Sequence, residues 1–380
     1  PIVIDEIMYN PPEPGFGGDF ADNDDFEYIK LYNRTGSSVN LHDDQGNPWK
    51  FTDGIEFTFP PDTAIPAGDY IVIAKNPAAF TERYSIVLPF TVFGPFEDGT
   101  GLSNGGEKLD LSIPGDMDGD GQRQYIRIDR VNYSDGSNNN WPDGVDPWPI
   151  EPDGNGKSLH RISPSSYGND VANWQSYSPP PVLIRHWMLD ETGTDTVADD
   201  ATGSQNGTLN NFNFDGTSGW TTGQIDGGLR FDGSDDSVSA GSNTLKYSFT
   251  ITAWIKGDVF SSDRMIFSQY DVSASGAFIF YVANGGKLAA YQNGGLYEVG
   301  AAVLNTGQWY HVAFVKNASF GTAYLNGIPE FSATDMVSMA NLANIIGAHS
   351  SGGRFDGVID DVRIYSGAMS EAEILELATN

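Results

Sequence analysis

The chain has 380 residues, with 20 Lys+Arg against 51 Asp+Glu and a formal net charge of −31. That negative excess repels nucleic acid and anionic membrane surfaces alike, and the lack of cysteine removes disulfides, thiolate metal sites and cysteine nucleophiles. The length suffices for two or more cored domains, and no run of about 18 apolar residues is present to span a bilayer.

Glycine is abundant (45), long amphipathic helical patterns are nearly absent, and short alternating runs recur between turn residues, the pattern of all-β domains. The acidity suits divalent cations or solubility outside a cell. An extracellular protein without disulfides fits a bacterial secreted protein. Pro1 opens the chain without a basic-then-apolar leader, as a mature or excised part of a longer protein would.

Taken in order, Pro1–Asn10 (PIVIDEIMYN) reads as a strand stopped by Pro11-Pro12. Phe26–Asn33 is expected as a second strand, with more strand material in Trp49–Phe59 and Tyr70–Ala74. Leu109–Ile113 and Tyr125–Tyr133 read as a hairpin around a glycine-rich loop, and Ser134–Pro164 as a long polar connection; Ala172-Asn173-Trp174 ends the unit. The ordered runs IDEIMYNP (4–11), FEYIKLYN (26–33), IPAGDY (65–70), LSNGGE (102–107), VNYSD (131–135) and DVANW (170–174) resemble the lamin-tail domain in its bacterial form. The resemblance covers residues 1–177. It implies an immunoglobulin-like β-sandwich with no family-wide enzymatic activity, found in secreted or surface-attached proteins.

A stiff proline-rich linker is placed at 178–182. Further strands are expected at Leu183–Leu189, Gly228–Phe231, Phe249–Lys256, Met265–Tyr270, Ala277–Val282, Lys287–Gln292, Gln308–Lys316, Gly321–Leu325 and Phe355–Tyr365. Asn284-Gly285, Asn293-Gly294 and Asn326-Gly327 supply tight turns. Phe355–Tyr365 (FDGVIDDVRIY) alternates except for one doubled position and is read as the closing strand, returning beside Leu183–Leu189. A short helical tail follows, with Ser370 as N-cap and Glu373 three residues on.

The runs WMLDE (187–191), LRFDG (229–233), FTITAWI (249–255), WYHVA (309–313), AYLNG (323–327) and GVIDDVRIY (357–365) resemble the laminin-G-like jelly roll of the concanavalin A-like class. This resemblance covers residues 183–380. It implies binding of glycans or protein ligands, often with a structural calcium, on a fold that also hosts polysaccharide-cleaving enzymes. The expected fold class is therefore all-β, an immunoglobulin-like β-sandwich followed by a concanavalin A-like jelly-roll β-sandwich.

Several residues offer chemistry. Asp116, Asp118 and Asp120 stand at alternate positions with Gly121 sixth, a spacing that could wrap one Ca²⁺ or form a solvated acidic turn. An EF-hand is excluded because Arg127 occupies the twelfth position, so Asp98 or Glu107 would have to complete the set. Asp360 and Asp361 are expected on opposite faces of their strand, one in solvent and the other paired if it points inward. The resemblance implies that the acid at Asp360 helps hold a calcium tying the last strand to the first, with Asp190 and the Asp199-Asp200 turn as partners. A salt link to Arg363 or Arg185 is the alternative.

Asp22-Asn23-Asp24-Asp25, with Glu27 and Glu6 nearby, reads as a charged surface loop or a further cation site. His311, Trp254 and Trp309 read as packed strand residues. Tyr270, Tyr291 and Tyr297, at strand ends or loops, are candidate platforms for a pyranose. No E-x-D-x-x-E run lies in a strand, Glu371, Glu373 and Glu376 belong to the terminal helix, and no G-x-S-x-G or H-E-x-x-H motif occurs.

The expectation is a pair of non-catalytic binding and adhesion modules from a secreted or cell-surface bacterial protein, calcium-stabilised and with a glycan as ligand. One alternative is a structural building block of a surface layer, fibre or adhesin, self-assembling through protein–protein contacts. The other is a polysaccharide-degrading enzyme whose acids converge only in the fold.

Overall fold

The structure, a computed structural model, describes every residue except 13–19, 21, 85–90, 139–140, 142–143, 243–244, 246, 294–295, 338 and 380. The chain divides into two compact units, the first reaching Ser178 and the second starting at Pro179. Both are β-sandwiches, in keeping with the alternation of the sequence.

In the first unit a six-stranded sheet runs Trp174–Tyr177, Ser158–Arg161, Ile2–Met8, Tyr28–Asn33, Tyr70–Ala74 and Thr91–Phe93. It faces a four-stranded sheet of Arg123–Asn132, Lys108–Met117, Lys50–Asp53 and Phe57–Thr58. Ile4 and Ile7 both enter the core although they are three apart, because the register shifts between Ile4 and Glu6. The displaced Asp5 and Glu6 are buried outside the core, and Glu6 accepts from the Tyr28 hydroxyl, Lys30 Nζ and the Ser158 hydroxyl at 2.5, 3.0 and 2.7 Å.

One expectation is corrected here. Ser158–Arg161 is a strand inside the segment read as a polar connection; with a single apolar residue in SLHR, no alternation marks it. The helix Pro77–Tyr84 covers the outside of the sheet, its Phe80 ring 5.1 Å from that of Tyr28. Asp22-Asn23-Asp24-Asp25 is a charged surface segment ordered as a short helix: Asp22 caps Asn23–Phe26, and Asp24 lies 3.1 Å from Lys75 Nζ. Glu27 is fully buried 3.6 Å from the same lysine, and Glu6 is spent on the donors above.

In the second unit both sheets converge on one core that includes Trp187, Phe231, Phe249, Phe267, Phe278, Phe280 and Phe314. One sheet contains Gly219–Thr222, Gly227–Asp232, Asp356–Ser366, Phe249–Gly257, Tyr310–Asn317, Phe320–Leu325 and Ile328–Ala333, with Val182–Trp187 also paired to Asp356–Ser366. The other runs Val197–Ala198, Gly207–Asn210, Ser237–Ser242, Ala343–Ile346, Arg264–Gln269, Phe278–Ala283, Lys287–Gln292 and Leu296–Val303. Gly207–Asn210, Gly219–Thr222 and Ser237–Ser242 carry no strand signal in the sequence because Gly, Ser and Thr dominate them. Asn326 and Gly327 take φ of 51° and 80°, the left-handed pair their hairpin requires. Gly294 of the Asn293-Gly294 turn lies outside the described residues. Ser370 and Glu373 form the expected capping box, with Ser370 N–H donating to Glu373 Oε2 at 2.7 Å.

Asp356–Ser366 closes the sandwich against the opening strand, as its sequence predicts. The expected opposition of Asp360 and Asp361 is overturned. Ile359 and Val362 both enter the core, and the pairing with Phe249–Gly257 shifts between Thr252 and Trp254. The doubled position is therefore a β-bulge, with Asp361 at φ 50°, and both acids are buried away from the core. Asp361 Oδ1 lies 2.7 Å from His186 Nε2, and its Oδ2 lies 3.0 Å from Arg363.

Asp361→Val puts a β-branched residue at a left-handed position and removes both partners. The expected cost is about 3 kcal/mol in chemical denaturation; a loss below about 1 kcal/mol would show that the bulge does not hold this junction.

Candidate functional site

The outer face of the second sheet gathers the candidate platform. Phe278, Phe280 and Val282 fill the core, so alternation sends Ile279 and Tyr281 outward. Across the hairpin Tyr291 pairs with Ile279, and Tyr297 pairs with Tyr291 on the next strand. Ring centroids lie 6.1 Å apart for Tyr270 and Tyr291, and 6.5 Å for Tyr291 and Tyr297. All three expected tyrosines are thus neighbours on one face, Tyr297 being 66% exposed.

Two aromatic residues of this face were not read from the sequence. Tyr281 underlies Tyr297; burial, then the charges of Tyr297 and Asp263, raise its hydroxyl pKa, so it stays protonated. His349 stands with its ring 5.1 Å from Tyr270, and burial followed by Arg354 lowers its pKa, which keeps it neutral. The strand period could have yielded Tyr281. His349 reaches the patch only through the fold.

The face therefore offers aromatic rings beside hydroxyls, a neutral imidazole and the Asp263 carboxylate. Asp263 Oδ1 already accepts from the Asn284 amide at 2.8 Å. Rings of this kind stack on the C–H face of a sugar, while the polar groups reach its hydroxyls.

On the outer face of the other sheet Asp360, Trp254 and His311 stand in one register row. Asp360 Oδ2 accepts from the Gln224 and Ile225 amides at 2.8 and 2.9 Å, and Asp190 Oδ1 from Gly227 at 2.7 Å. Gly223 completes this turn; a Cβ there would collide with the Gly227 carbonyl and the Asp360 carboxylate. Burial raises the Asp360 pKa to about 7 and lowers that of His311 to about 4. Asp360 Oδ1, Trp254 Nε1 and His311 Nδ1 are buried without hydrogen-bond partners among the described residues. Trp254 is thus outside the core, since Ala253 and Ile255 fill it; Trp309 precedes the next strand and lies under Lys256 Nζ, 4.8 Å from its ring centroid.

The expected cation ligands fall in separate places: Asp190 and Asp360 both meet the Gln224–Gly227 turn, and the Asp116, Asp118 and Asp120 set lies in the first unit. Asp116 falls within the strand Lys108–Met117, while Asp118 Oδ1 closes its own turn by accepting from the Asp120 and Gln122 amides at 3.0 and 2.8 Å. Glu107 is engaged elsewhere, accepting from Ser103 N–H at 2.9 Å. Asp199 accepts from Asn206 Nδ2 at 2.7 Å, and Asp200 takes donors from His186, Thr202, Ser204 and Gln205.

Among the described residues, the set of three acids whose ligand atoms lie within 4.8 Å of one another is Asp232, Asp235 and Asp236. Asp236 is 1% exposed, and its Oδ1 is without a donor among the described residues. Burial raises its pKa to about 6. These oxygens could hold a divalent cation, and they sit on a loop whose sequence signals no more than a turn.

Residues 1–135 match the family model for the Lamin Tail Domain, and residues 232–375 that for the concanavalin A-like lectin/glucanases superfamily. No curated protein matches the chain. Among solved structures, domain 4 of AbnA, an extracellular arabinanase from Geobacillus stearothermophilus, in complex with arabinotriose, shares 23% identity over 52% of this chain and 99% of that one, with a TM-score of 0.46. Trypanosoma rangeli sialidase shares 15% over 52% of this chain and 32% of its own, with a TM-score of 0.42. The binding domain of Paraclostridial Mosquitocidal Protein 1 shares 15% over 52% and 51%, with a TM-score of 0.41. The chain thus spans about a third of the sialidase and half of the mosquitocidal domain.

Asp360 provides a pH test. A carboxyl raised to about 7 in the folded chain binds a proton that the unfolded chain releases near pH 4, so its contribution is present below pH 4 and is lost as pH rises to 7. Asp360→Asn should therefore raise the melting temperature relative to wild type at pH 8 and leave the two alike at pH 4. A variant that instead melts lower at pH 8, only when Ca²⁺ is present, would make Asp360 an ion ligand.

Proposed function

We propose that this chain, a Lamin Tail Domain followed by a concanavalin A-like domain, is a non-catalytic extracellular pair of binding modules whose second member takes a glycan on its tyrosine-lined face. The observation that carries this reading is the convergence of Tyr270, Tyr291 and Tyr297 beside Tyr281 and His349, with Tyr297 largely in solvent. A secreted or cell-surface bacterial setting agrees with a cysteine-free chain of charge −31.

The ring geometry narrows the ligand. Tyr291 is tilted 65° from Tyr270 and 70° from Tyr297, so the rings cannot lie flat together on a crystalline polysaccharide. A single soluble chain, or its end, can turn successive faces to rings held at such angles. A divalent cation, calcium by its oxygen ligands, belongs to this reading at Asp232, Asp235 and Asp236.

Binding to soluble polysaccharides should exceed binding to insoluble crystalline ones. Tyr297→Ala and Tyr291→Ala should each weaken it about tenfold, with Tyr297→Ala leaving the melting temperature unchanged. Retained affinity in both variants would remove the face from consideration. Release of reducing ends or unsaturated products from the same panel would replace this reading with an enzymatic one.

Chelation should lower the melting temperature, since an ion held only by the folded state adds to its stability, by about 2.7 kcal/mol at a hundredfold excess over Kd. Asp236→Asn should abolish the response to Ca²⁺. Identical melting in EDTA and Ca²⁺ would eliminate the ion.

A further inference from the structure

The first unit contains a pocket of about 280 Å³ lined by Gly105, Gly106, Glu107, Asn132, Tyr133, Ser134, Asn138 and Trp141. It lies in a different unit from the tyrosine face and is independent of the glycan reading. Gly106, at φ 103°, lets the Gly105-Gly106 turn lie against the Tyr133–Ser134 backbone, where a Cβ would collide.

The charges around this pocket are one-sided. Elsewhere in the unit buried acids have a basic group beside them: Asp5 with His160 at 3.6 Å, Glu6 with Lys30 at 3.0 Å, Glu27 with Lys75 at 3.6 Å, Asp110 with Arg130 and Asp129 with Arg161 both at 2.5 Å. Asp146, behind the pocket, is satisfied by neutral donors from Ser134, Asn138 and Trp148. Glu107 forms no ion pair among the described residues. Its Oε1 accepts from Ser103 N–H and the Tyr133 hydroxyl at 2.9 and 3.2 Å, and its Oε2 has no protein partner among them. Lys108, next in the chain, is turned to Asp53. Among the described residues no basic one lines the pocket, and the charges that act on Glu107, Tyr133 and Tyr9 around it, from Glu27, Asp53, Asp135, Asp146 and Asp153, are acidic.

We propose that this pocket binds an alkylammonium group, the chemistry shared by a lysine side chain of a partner protein and by a free small amine. The ammonium takes the position next to the half-buried Glu107 that a basic side chain takes at the acids named above. Trp141 and Tyr133 supply aromatic surface for the alkyl part and for the cation. The Asn132 side-chain amide offers an oxygen to its N–H groups. A metal ion is a poor fit, because Glu107 offers one free carboxylate oxygen where calcium requires six or more ligands. A neutral sugar would leave the carboxylate without a counter-charge.

The test is calorimetric titration of the full chain at low ionic strength with butylammonium and Nα-acetyl-lysine amide, against the neutral 1-butanol and glucose. The cations should bind at least about tenfold more tightly than the neutral compounds, and Glu107→Gln should lose about tenfold for the cations alone. That variant keeps an acceptor for Ser103 and Tyr133, so its melting temperature should stay close to that of wild type. With wild type itself, cation affinity should fall as acid protonates Glu107. Tighter binding of acetyl-lysine amide than of butylammonium assigns the pocket to a protein partner, and the reverse assigns it to a free amine. Equal binding of butanol, preferential binding of glucose, pH-independent cation affinity, or no ammonium binding at about 10 mM, the weak end of ligand affinities, would each overturn the proposal.

Discussion

The closing strand of the second sandwich changes neighbours along its length, and the bulge at Asp360-Asp361 makes the exchange possible. Along one edge Asp356–Ile359 pairs with Gly227–Asp232, and Val362–Ser366 pairs with Val182–Trp187. Two strands ending beside a third leave backbone amides and loop turns to be satisfied at the junction. Asp360 receives the amides of the turn that enters one strand, and Asp361 ties the side chain of His186 on the other. Burial alone would raise both carboxyls. His186 and Arg363 more than offset it at Asp361 and hold that pKa below its ordinary value, whereas at Asp360 burial prevails. Two adjacent acids thus carry opposite proton affinities, one built to be charged and the other poised to be neutral.

The first sandwich uses the same device at its opening strand. Asp5-Glu6 occupies a register shift between core residues three apart, Ile4 and Ile7, as Asp360-Asp361 lies between Ile359 and Val362. In both places the extra residue turns a pair of acids out of the core and into a shell of donors. At these two places a run of apolar, acidic, acidic, apolar within a strand marks a bulge.

With the sandwich closed in this way, its two outer faces differ. Loops bury the acid row on one sheet, whereas on the other the tyrosines cover a small apolar cluster of Met265, Ile279, Tyr281 and Ala289. Rigid strands hold these rings at set angles, so the glycan proposed for this face would require little ordering of the protein. The acidic excess of the chain is distributed in a similar fashion: many acids that look free in the sequence are turn caps, such as Asp118 and Asp200, and only a few cluster without a basic partner.

The sequence by itself determined the all-β class, the return of the closing strand beside the opening one, the Asn-Gly turn at Asn326-Gly327 and the Ser370 capping box. Each is a local signal, a period of two or a capping pair within a few residues. Strands such as Ser158–Arg161 and Gly207–Asn210 carry no such period and exist only because long-range pairing satisfies their backbone. The three tyrosines were legible as exposed aromatics, but their meeting with His349 was decided by register across four strands and the following loop. Asp118, read from its spacing as a cation ligand, accepts the amides of its own loop, while Asp232, Asp235 and Asp236 come together through a tight turn whose carboxylate directions no spacing rule specifies. Only tertiary structure decides which acid meets a donor and which faces another acid, because that depends on how far each lies from groups distant in the chain.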